Sequence, residues 1–455
     1  MGDPQSADRA RGRKILVIGH DEMTAVAERA LDAAGATVIS LRDPHDRAIR
    51  RALDAEVDSV LVVSNNDHVS LRLALVVENV RPGVPLVVTI FGSIVASQLQ
   101  RAVRNVRVLS MADMVVPSLA GPCFDEHLLS VSRQESGFAG VQAGREGPEI
   151  VPLKPNVPSR GERLLTQLGS FLNPFEMSAR ILMAGLFGLL LILLVDTTVL
   201  ALVLGEPLVA AFYSATKTIV TVGPNPLIDE GAGWVQVFSA VAMLAALGFT
   251  AIFTAGIVSR LIEPRLTAIV GRRAIPRRDH VVVVGLGQVG LRLSLLLREL
   301  GVPVLVVERD PENPYVKRAK EYGIPIVLGR GGSRFLLRRL CLGRARALAA
   351  VTSDEVENIS IVVAALGMRE ELRTLLRAGR GDVVNETSSL FKIGVVRDVY
   401  RIGGTLLAAA ALGWPATEAF LFEQTVYLID PEGRIEPFDS DVEAAHSEEA
   451  ALTRA

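Results

Sequence analysis

Two long apolar runs, residues 181–204 and 234–258, constrain what this chain of 455 residues can fold into. The second carries no formal charge over 25 residues, a length that crosses a hydrocarbon core of about 30 Å with some tilt. The first is mostly Leu, Ile, Val and Phe but contains Asp196. About sixteen strongly apolar residues at roughly −0.3 to −0.6 kcal/mol each outweigh one Asp at about +3 kcal/mol near a helix centre, so the run still inserts. An acid inside a span is a functional candidate. The structural reading is favoured for Asp196, a hydrogen bond to the segment that follows or to Thr197 and Thr198. Trp234 stands where an interfacial aromatic belongs. Gly248 and Gly256 lie within the second run; Gly248 is the candidate hinge, although glycines in spans also serve close packing.

Residues 205–233 separate the two runs and are too short and too polar to span. A short helix is expected over about 206–220, followed by Thr221-Val222-Gly223-Pro224-Asn225-Pro226. A short helix leading into extended backbone presents carbonyls to a dehydrated cation, and such backbone is tolerated at membrane depth only inside protein or along a wet cavity. Arg180 precedes the first run, and Arg260, Arg265, Arg272, Arg273, Arg277 and Arg278 follow the second. The loop between them holds Glu206, Asp229 and Glu230 against Lys217. The positive-inside rule therefore places both termini in the cytoplasm.

The flanking sequence reads as soluble α/β structure. Lys14–Ile18, Thr37–Leu41, Ser59–Val63 and Pro85–Thr89 are short apolar runs alternating with helical patterns, which argues for a parallel sheet covered by helices. After the first strand comes Gly19-His20-Asp21-Glu22-Met23-Thr24: one glycine where a phosphate fingerprint needs three, and two acids where a pyrophosphate would approach. Beyond the spans, His280–Val284 leads directly into Gly285-Leu286-Gly287-Gln288-Val289-Gly290 and a helical run, 291–300. This is Gly-x-Gly-x-x-Gly in its strand–turn–helix context, with the phosphates facing the helix N-terminus. The strand Val304–Val307 ends at Glu308, about twenty residues on, where an acid accepts from a ribose hydroxyl; Arg309 follows it. The alternative is a Rossmann fold whose glycines serve packing alone.

The Thr221-Val222-Gly223 segment between two spans resembles the filter of potassium channels with two spanning helices per subunit, which reads Thr-Val-Gly-Tyr-Gly-Asp; Pro224-Asn225-Pro226 depart from it. The soluble parts resemble RCK domains (regulator of potassium conductance), and residues from Phe391 onward bear a looser likeness to Castor/Pollux-like channels. The fold the resemblance implies is a membrane protein with an α-helical two-span pore module and a re-entrant pore loop, flanked by two cytoplasmic Rossmann-like RCK domains. Its parts are 1–12 disordered, 13–125 the N-terminal lobe, and 126–173 a linker with a possible interfacial helix over 161–172. They continue with 174–262 the pore domain, 279–435 the C-terminal RCK domain and 436–455 an acidic tail. The resemblance implies a homotetrameric channel in membrane lipid, carrying potassium through a filter of Thr221, Val222, Gly223, Pro224 and Asn225. It implies gating by an adenine nucleotide, NAD(H) among the options, held by Gly285, Gly287, Gln288, Val289, Gly290, Glu308 and Arg309. Loops after the later strands add Arg330, Thr352 and Ser353. A weakly selective channel and a non-conducting, membrane-anchored nucleotide sensor are the alternatives.

The net charge of −2 sets up no field for nucleic acid, and mean hydropathy is positive. Cys123 and Cys341 are the only cysteines, so neither a disulfide framework nor a metal cluster is expected. No cleavable signal peptide is expected at the polar start. No general acid–base pair or activated nucleophile accompanies the fingerprint, so no enzyme is expected.

Overall fold

The computed structural model describes residues 12–134, 137–145, 147–154, 177–220, 228, 232–262, 269–270, 278–379 and 393–438. The chain divides into two compact units: Met1–Pro158 with Ile269–Arg272 and Pro276–Ala455, and Ser159–Ala268 with Arg273–Ile275.

The first unit holds two α/β lobes. In the first lobe, strands β1 (Lys14–Ile18), β2 (Thr37–Leu41), β3 (Ser59–Val62), β4 (Leu86–Thr89) and β5 (Val106–Leu109) form a parallel sheet in the order β2-β1-β3-β4-β5. Strands β3 and β4 are buried at every position, as strands covered on both faces must be. Helices α1 (Glu22–Ala33), α2 (Asp46–Leu53), α3 (Asp67–Val80) and α4 (Ser93–Ala102) connect them. The edge strand β5 is half-buried throughout and carries Arg107, so no apolar run announces it in the sequence.

The second lobe is built on β10 (Val281–Val284), β11 (Val304–Glu308), β12 (Ile326–Leu328), β13 (Ala347–Ala350), β14 (Arg373–Ala378) and β15 (Val395–Asp398). A short antiparallel strand, β9 (Ile269–Val270), completes the order β15-β14-β13-β10-β11-β12-β9.

The two lobes exchange helices. Helix α5 (Met111–Phe124) leaves the first sheet and packs on α9 (Gln288–Glu299), the first helix of the second lobe. Helix α13 (Val399–Ala411) leaves the second sheet and packs on α1 of the first lobe. Both are apolar around most of their circumference and almost wholly buried, as a helix without a solvent face must be. Close approach of α13 to α1 depends on paired glycines. A Cβ on Gly404 would lie 2.8 Å from Val26 Cβ and 3.0 Å from the Ala27 nitrogen, and one on Gly403 would lie 2.7 Å from Met23 Cε. Leu406 and Leu407 are both fully buried, each contributing about 2 kcal/mol. Hydrogen bonds pin the exchange: Ser59 Oγ donates to the Ala411 carbonyl at 2.7 Å, Arg13 Nη1 to Leu412 at 2.8 Å, and Arg397 Nε to Ser118 at 3.2 Å. The lobes consequently share one hydrophobic cluster.

Each exchanged helix runs on into a three-stranded antiparallel sheet: β6 (Leu128–Gln134), β7 (Gly137–Ala143) and β8 (Pro148–Leu153) after α5, and β16 (Glu418–Phe422), β17 (Thr425–Ile429) and β18 (Ile435–Phe438) after α13. The expected linker over 126–173 therefore contains three strands, β6, β7 and β8. Its strands escape the sequence reading because their apolar face is covered by the other small sheet, through Val141, Phe420 and Ile429, and because glycines interrupt the alternation. Gly140 is one of these; a Cβ there would lie 2.6 Å from Leu128 Cδ2. Similarly, 436–438 of the expected acidic tail belong to β18. Glu418 sits where the small sheets meet. Its Oε1 accepts from the Arg133 nitrogen at 3.3 Å, while its buried Oε2 has no partner among the described residues.

In the second unit, α6 (Met177–Val203) and α8 (Gly233–Ile262) pack together, with α7 (Leu208–Ile219) against α6. Glycines permit the contact: a Cβ on Gly185 would lie 2.6 Å from the Phe253 nitrogen, and one on Gly256 2.7 Å from Leu182 Cα. Ile181–Val203 and Gly233–Val258 are each long and apolar enough to cross a membrane, and they expose Phe187, Leu194, Val237 and Leu244. Asp196 is 2 % exposed and lies beside Thr218 of α7, whose hydroxyl donates to the Ser214 carbonyl at 3.3 Å. Thr197 and Thr198 bond back to Leu193 and Leu194 of their own helix. Thr221, Val222, Gly223, Pro224 and Asn225, the interfacial segment 161–172 and both chain ends (1–11 and 439–455) lie outside the described residues.

Two outcomes follow from the lobe contacts. Gly404→Val forces a side chain into α1 and should cost about 1–3 kcal/mol, read as a lowered Tm, whereas Gly343→Ala, with open space at its Cβ, should be neutral. Burial pushes the Glu418 carboxyl up to about 7, against the pull of hydrogen bonds from Arg133 and Ser132. Between about pH 4.5 and 7 the folded chain holds a proton that the unfolded chain has released, so this contribution to stability falls as pH rises across that window. Glu418→Gln should flatten the thermal-stability profile there.

Candidate functional site

The three fingerprint glycines are required for three different reasons. Gly285 has φ +103°, and a Cβ there would lie 2.9 Å from the Thr352 nitrogen, so both conformation and crowding demand glycine. A Cβ on Gly290 would lie 1.9 Å from the Gly285 carbonyl oxygen; this glycine lets α9 close onto β10. Gly287 has φ −87° and nothing within 4 Å of its Cβ position. Neither strain nor packing explains it, and its open side faces a cavity. Gly287 is also the N-cap of α9 and offers no side-chain cap, leaving the helix's first N–H groups available to an anion.

The cavity, about 460 Å³, is walled by Gly285, Gly287, Gln288 and Val289, by Glu308 and Arg309 at the end of β11, and by Thr352 and Ser353 after β13. These lie at the carboxyl ends of parallel strands, where open α/β sheets bind ligands. Gly290 stands behind the wall as a packing residue. Arg330 is exposed and absent from the lining, which Gly329 and Gly331 supply instead.

Glu308 is 9 % exposed, and its carboxylate is already well satisfied. Oε2 accepts from the Leu286 nitrogen at 2.8 Å and Asn313 Nδ2 at 3.1 Å; Oε1 accepts from the nitrogens of Arg309 at 2.7 Å and Asp310 at 2.9 Å. The acid thus braces the fingerprint turn, and a ribose hydroxyl would share an oxygen with these donors. Thr352 is fixed by Asn358, whose Oδ1 accepts from the Thr352 nitrogen at 2.9 Å and hydroxyl at 2.8 Å. Arg309 Nη1 lies 3.5 Å from Glu357.

Several lining residues are not announced by the sequence, among them Arg377 and Tyr400. Arg377 reaches the wall from the carboxyl end of β14, its Nη1 donating to the Thr352 carbonyl at 3.4 Å; the position after a parallel strand was the available signal. Tyr400 comes from the first turn of α13, and nothing local announces it. The first lobe also reaches this wall, through Asp21, Asn65 and Met111. Within its own lobe, Asp21 caps α1, accepting from the Thr24 nitrogen at 2.8 Å and hydroxyl at 2.6 Å. Its carboxylate therefore occupies the helix N-terminus that a phosphate would need. Gly19 is a packing glycine, its Cβ position 2.7 Å from the Val63 carbonyl oxygen. Among the described residues no group of three or more His, Cys, Asp and Glu is placed to hold a metal. Burial pushes the Cys123 thiol up to about 12.

Residues 281–391, which include every element of this fingerprint, match the TrkA-N domain. The chain carries a TrkA-N domain. It resembles potassium channels over part of its length. It is 23 % identical over 241 residues to potassium channel protein 1 of Methanocaldococcus jannaschii, covering 50 % of this chain and 69 % of that protein. It is 23 % identical over 195 residues to the voltage-gated potassium channel Kch of Escherichia coli, covering 42 % of this chain and 45 % of Kch. Among solved structures, the GsuK RCK domain aligns with a TM-score of 0.48 at 15 % identity, over 88 % of this chain and 76 % of that one. The GsuK channel bound to NAD aligns with a TM-score of 0.48 at 14 % identity, over 88 % and 64 %.

In the TrkA-N domain, Gly287→Asp puts a carboxylate into open space at the cavity wall. Adenine nucleotides should stabilise the wild type in a thermal-shift titration and leave the variant unmoved, while the unliganded Tm values stay within about 2 °C of each other.

Proposed function

We propose that this protein is a cation channel of the potassium-channel type, assembled as a homotetramer and gated by a nucleotide bound to its TrkA-N domain. The observation that carries the reading is the pairing, in one chain, of a TrkA-N fingerprint open to a cavity with two membrane-length helices enclosing a short third helix. One such hairpin cannot enclose a pore alone, so four copies are invoked. The positive-inside charge pattern supports cytoplasmic termini and hence a cytoplasmic position for both lobes, the first read as an RCK lobe without a dinucleotide site of its own.

An adenine nucleotide, NAD(H) among them, fits the residues present. Gly287 leaves room for a pyrophosphate and the α9 N-terminus faces it. Glu308 and Asn313 orient the neighbouring turn, and Arg377 offers a cation. Bound there, the nucleotide supplies charge and shape to the cleft between the lobes. Helix α13 supports a route for the signal: Tyr400 lines the cavity, and the rest of the helix fills the first lobe. Gly248 has open space at its Cβ position, unlike the packing glycines Gly185 and Gly256, which supports its reading as a gating hinge.

The filter reading rests on Thr221, Val222 and Gly223, whose carbonyls would line the pore. Pro224 has no N–H and a fixed φ near −65°, and it holds Gly223 toward extended geometry. The outer sites of the related filters therefore change here, and this observation favours a second reading, a channel with weakened preference for potassium over sodium. Bi-ionic reversal potentials in planar bilayers test it. Pro224→Tyr with Asn225→Gly should raise potassium preference over the wild type. A wild type already strongly selective overturns the weak-selectivity reading, and a wild type without current favours a membrane-anchored sensor.

A further inference from the structure

The cavity of the TrkA-N domain is a two-lobe site, and the first lobe's share of its wall is neutral except for one group. Asn65, Met23, Met111 and Val115 contribute no charge; Asp21 contributes a carboxylate. On the facing wall Arg309 lies 3.5 Å from Glu357, while Arg377 donates to the neutral Thr352 carbonyl at 3.4 Å and keeps its charge for a ligand. Asp21 has no cationic partner among the described residues, its bonds being those to the Thr24 nitrogen and hydroxyl. Asp21 lines the same cavity as the Gly285–Val289 turn, so its charge acts on an anion held at that turn. For charges about 10 Å apart at an effective dielectric of about 20, each added unit of negative charge on the ligand weakens binding on the order of tenfold at low salt; the effect shrinks as salt is added.

We propose that Asp21, reaching across from the first lobe, is a specificity-determining residue that selects against highly charged nucleotides at the second lobe's site. The favoured ligand class is a dinucleotide or nucleoside monophosphate of low net charge, and nucleoside di- and triphosphates are discriminated against. This rests on the nucleotide reading of the cavity. It also gives the acid at the degenerate first turn a role: the residue that occupies the first lobe's own anion position screens anions for its neighbour.

Asp21→Asn isolates the charge, because Asn caps a helix as well as Asp does and keeps the shape. The full-length detergent-purified protein and this variant are titrated by calorimetry with NAD, AMP, ADP and ATP, a ladder of rising anionic charge, at low and at high salt. Expected at low salt is a gain in affinity that grows by on the order of tenfold for each added negative charge, smallest for NAD and largest for ATP, and that contracts at high salt. Gly287→Asp in the Asp21→Asn background should abolish all four, placing the effect at this site. Equal changes for all four ligands, or none, would overturn charge selection while leaving the nucleotide site standing. Failure of every nucleotide to bind either protein would overturn the site reading and this inference with it.

Discussion

The exchange of α5 and α13 is the interaction on which the soluble unit depends. Each lobe's sheet is left uncovered on the face where its neighbour's helix lies, so neither lobe covers both faces of its sheet by itself; the first lobe's other face carries a core of its own. A helix such as Ile402–Ala411, apolar nearly all round, has nowhere to go in water except a site enclosed on all sides. The first lobe supplies that site between its sheet and α1, admitted by Gly403 and Gly404. Carbonyls at the end of α13 then receive Ser59 and Arg13, and Arg107 from β5 reaches the Trp414 carbonyl at 2.6 Å. Although the pairing joins segments separated by the whole of the membrane unit in sequence, its core is continuous.

That pairing builds the candidate site. A lone TrkA-N domain would present its fingerprint to solvent; here Asp21, Asn65 and Met111 close the opposite side. Tyr400 belongs both to the wall and to the exchanged helix. The fingerprint turn is itself held from behind. Glu308 receives the Leu286 nitrogen, Asn313 Nδ2 donates to the Leu286 carbonyl at 3.1 Å, and Thr352 crowds Gly285. A rigid turn with one open glycine is suited to recognising a phosphate without rearranging for it.

In the helical unit the same economy of small residues holds. Gly185 and Gly256 bring α6 and α8 together, and Asp196 is buried beside Thr218 of α7. Thr197 and Thr198 spend their hydroxyls on carbonyls one turn back, a common resolution for hydroxyls in apolar helices.

Much of this was legible in the sequence because it depends on local patterns: the two apolar runs, the short helix between them, the buried strands, the Gly-x-Gly-x-x-Gly turn and the acid ending the next strand. These are set by periodicity, by length and by the conformational demands of glycine, all carried by neighbouring residues. The sequence alone did not reveal β6–β8, α13 as a filler of the first lobe, Arg377 and Tyr400 in the cavity wall, or Asp21 facing the second lobe's turn. Nor did it show that Arg330 is exposed and outside the lining. Each of these depends on which distant surface a segment meets. An apolar helix or a glycine-broken strand is stable wherever its face is buried, and only the tertiary structure decides which partner buries it.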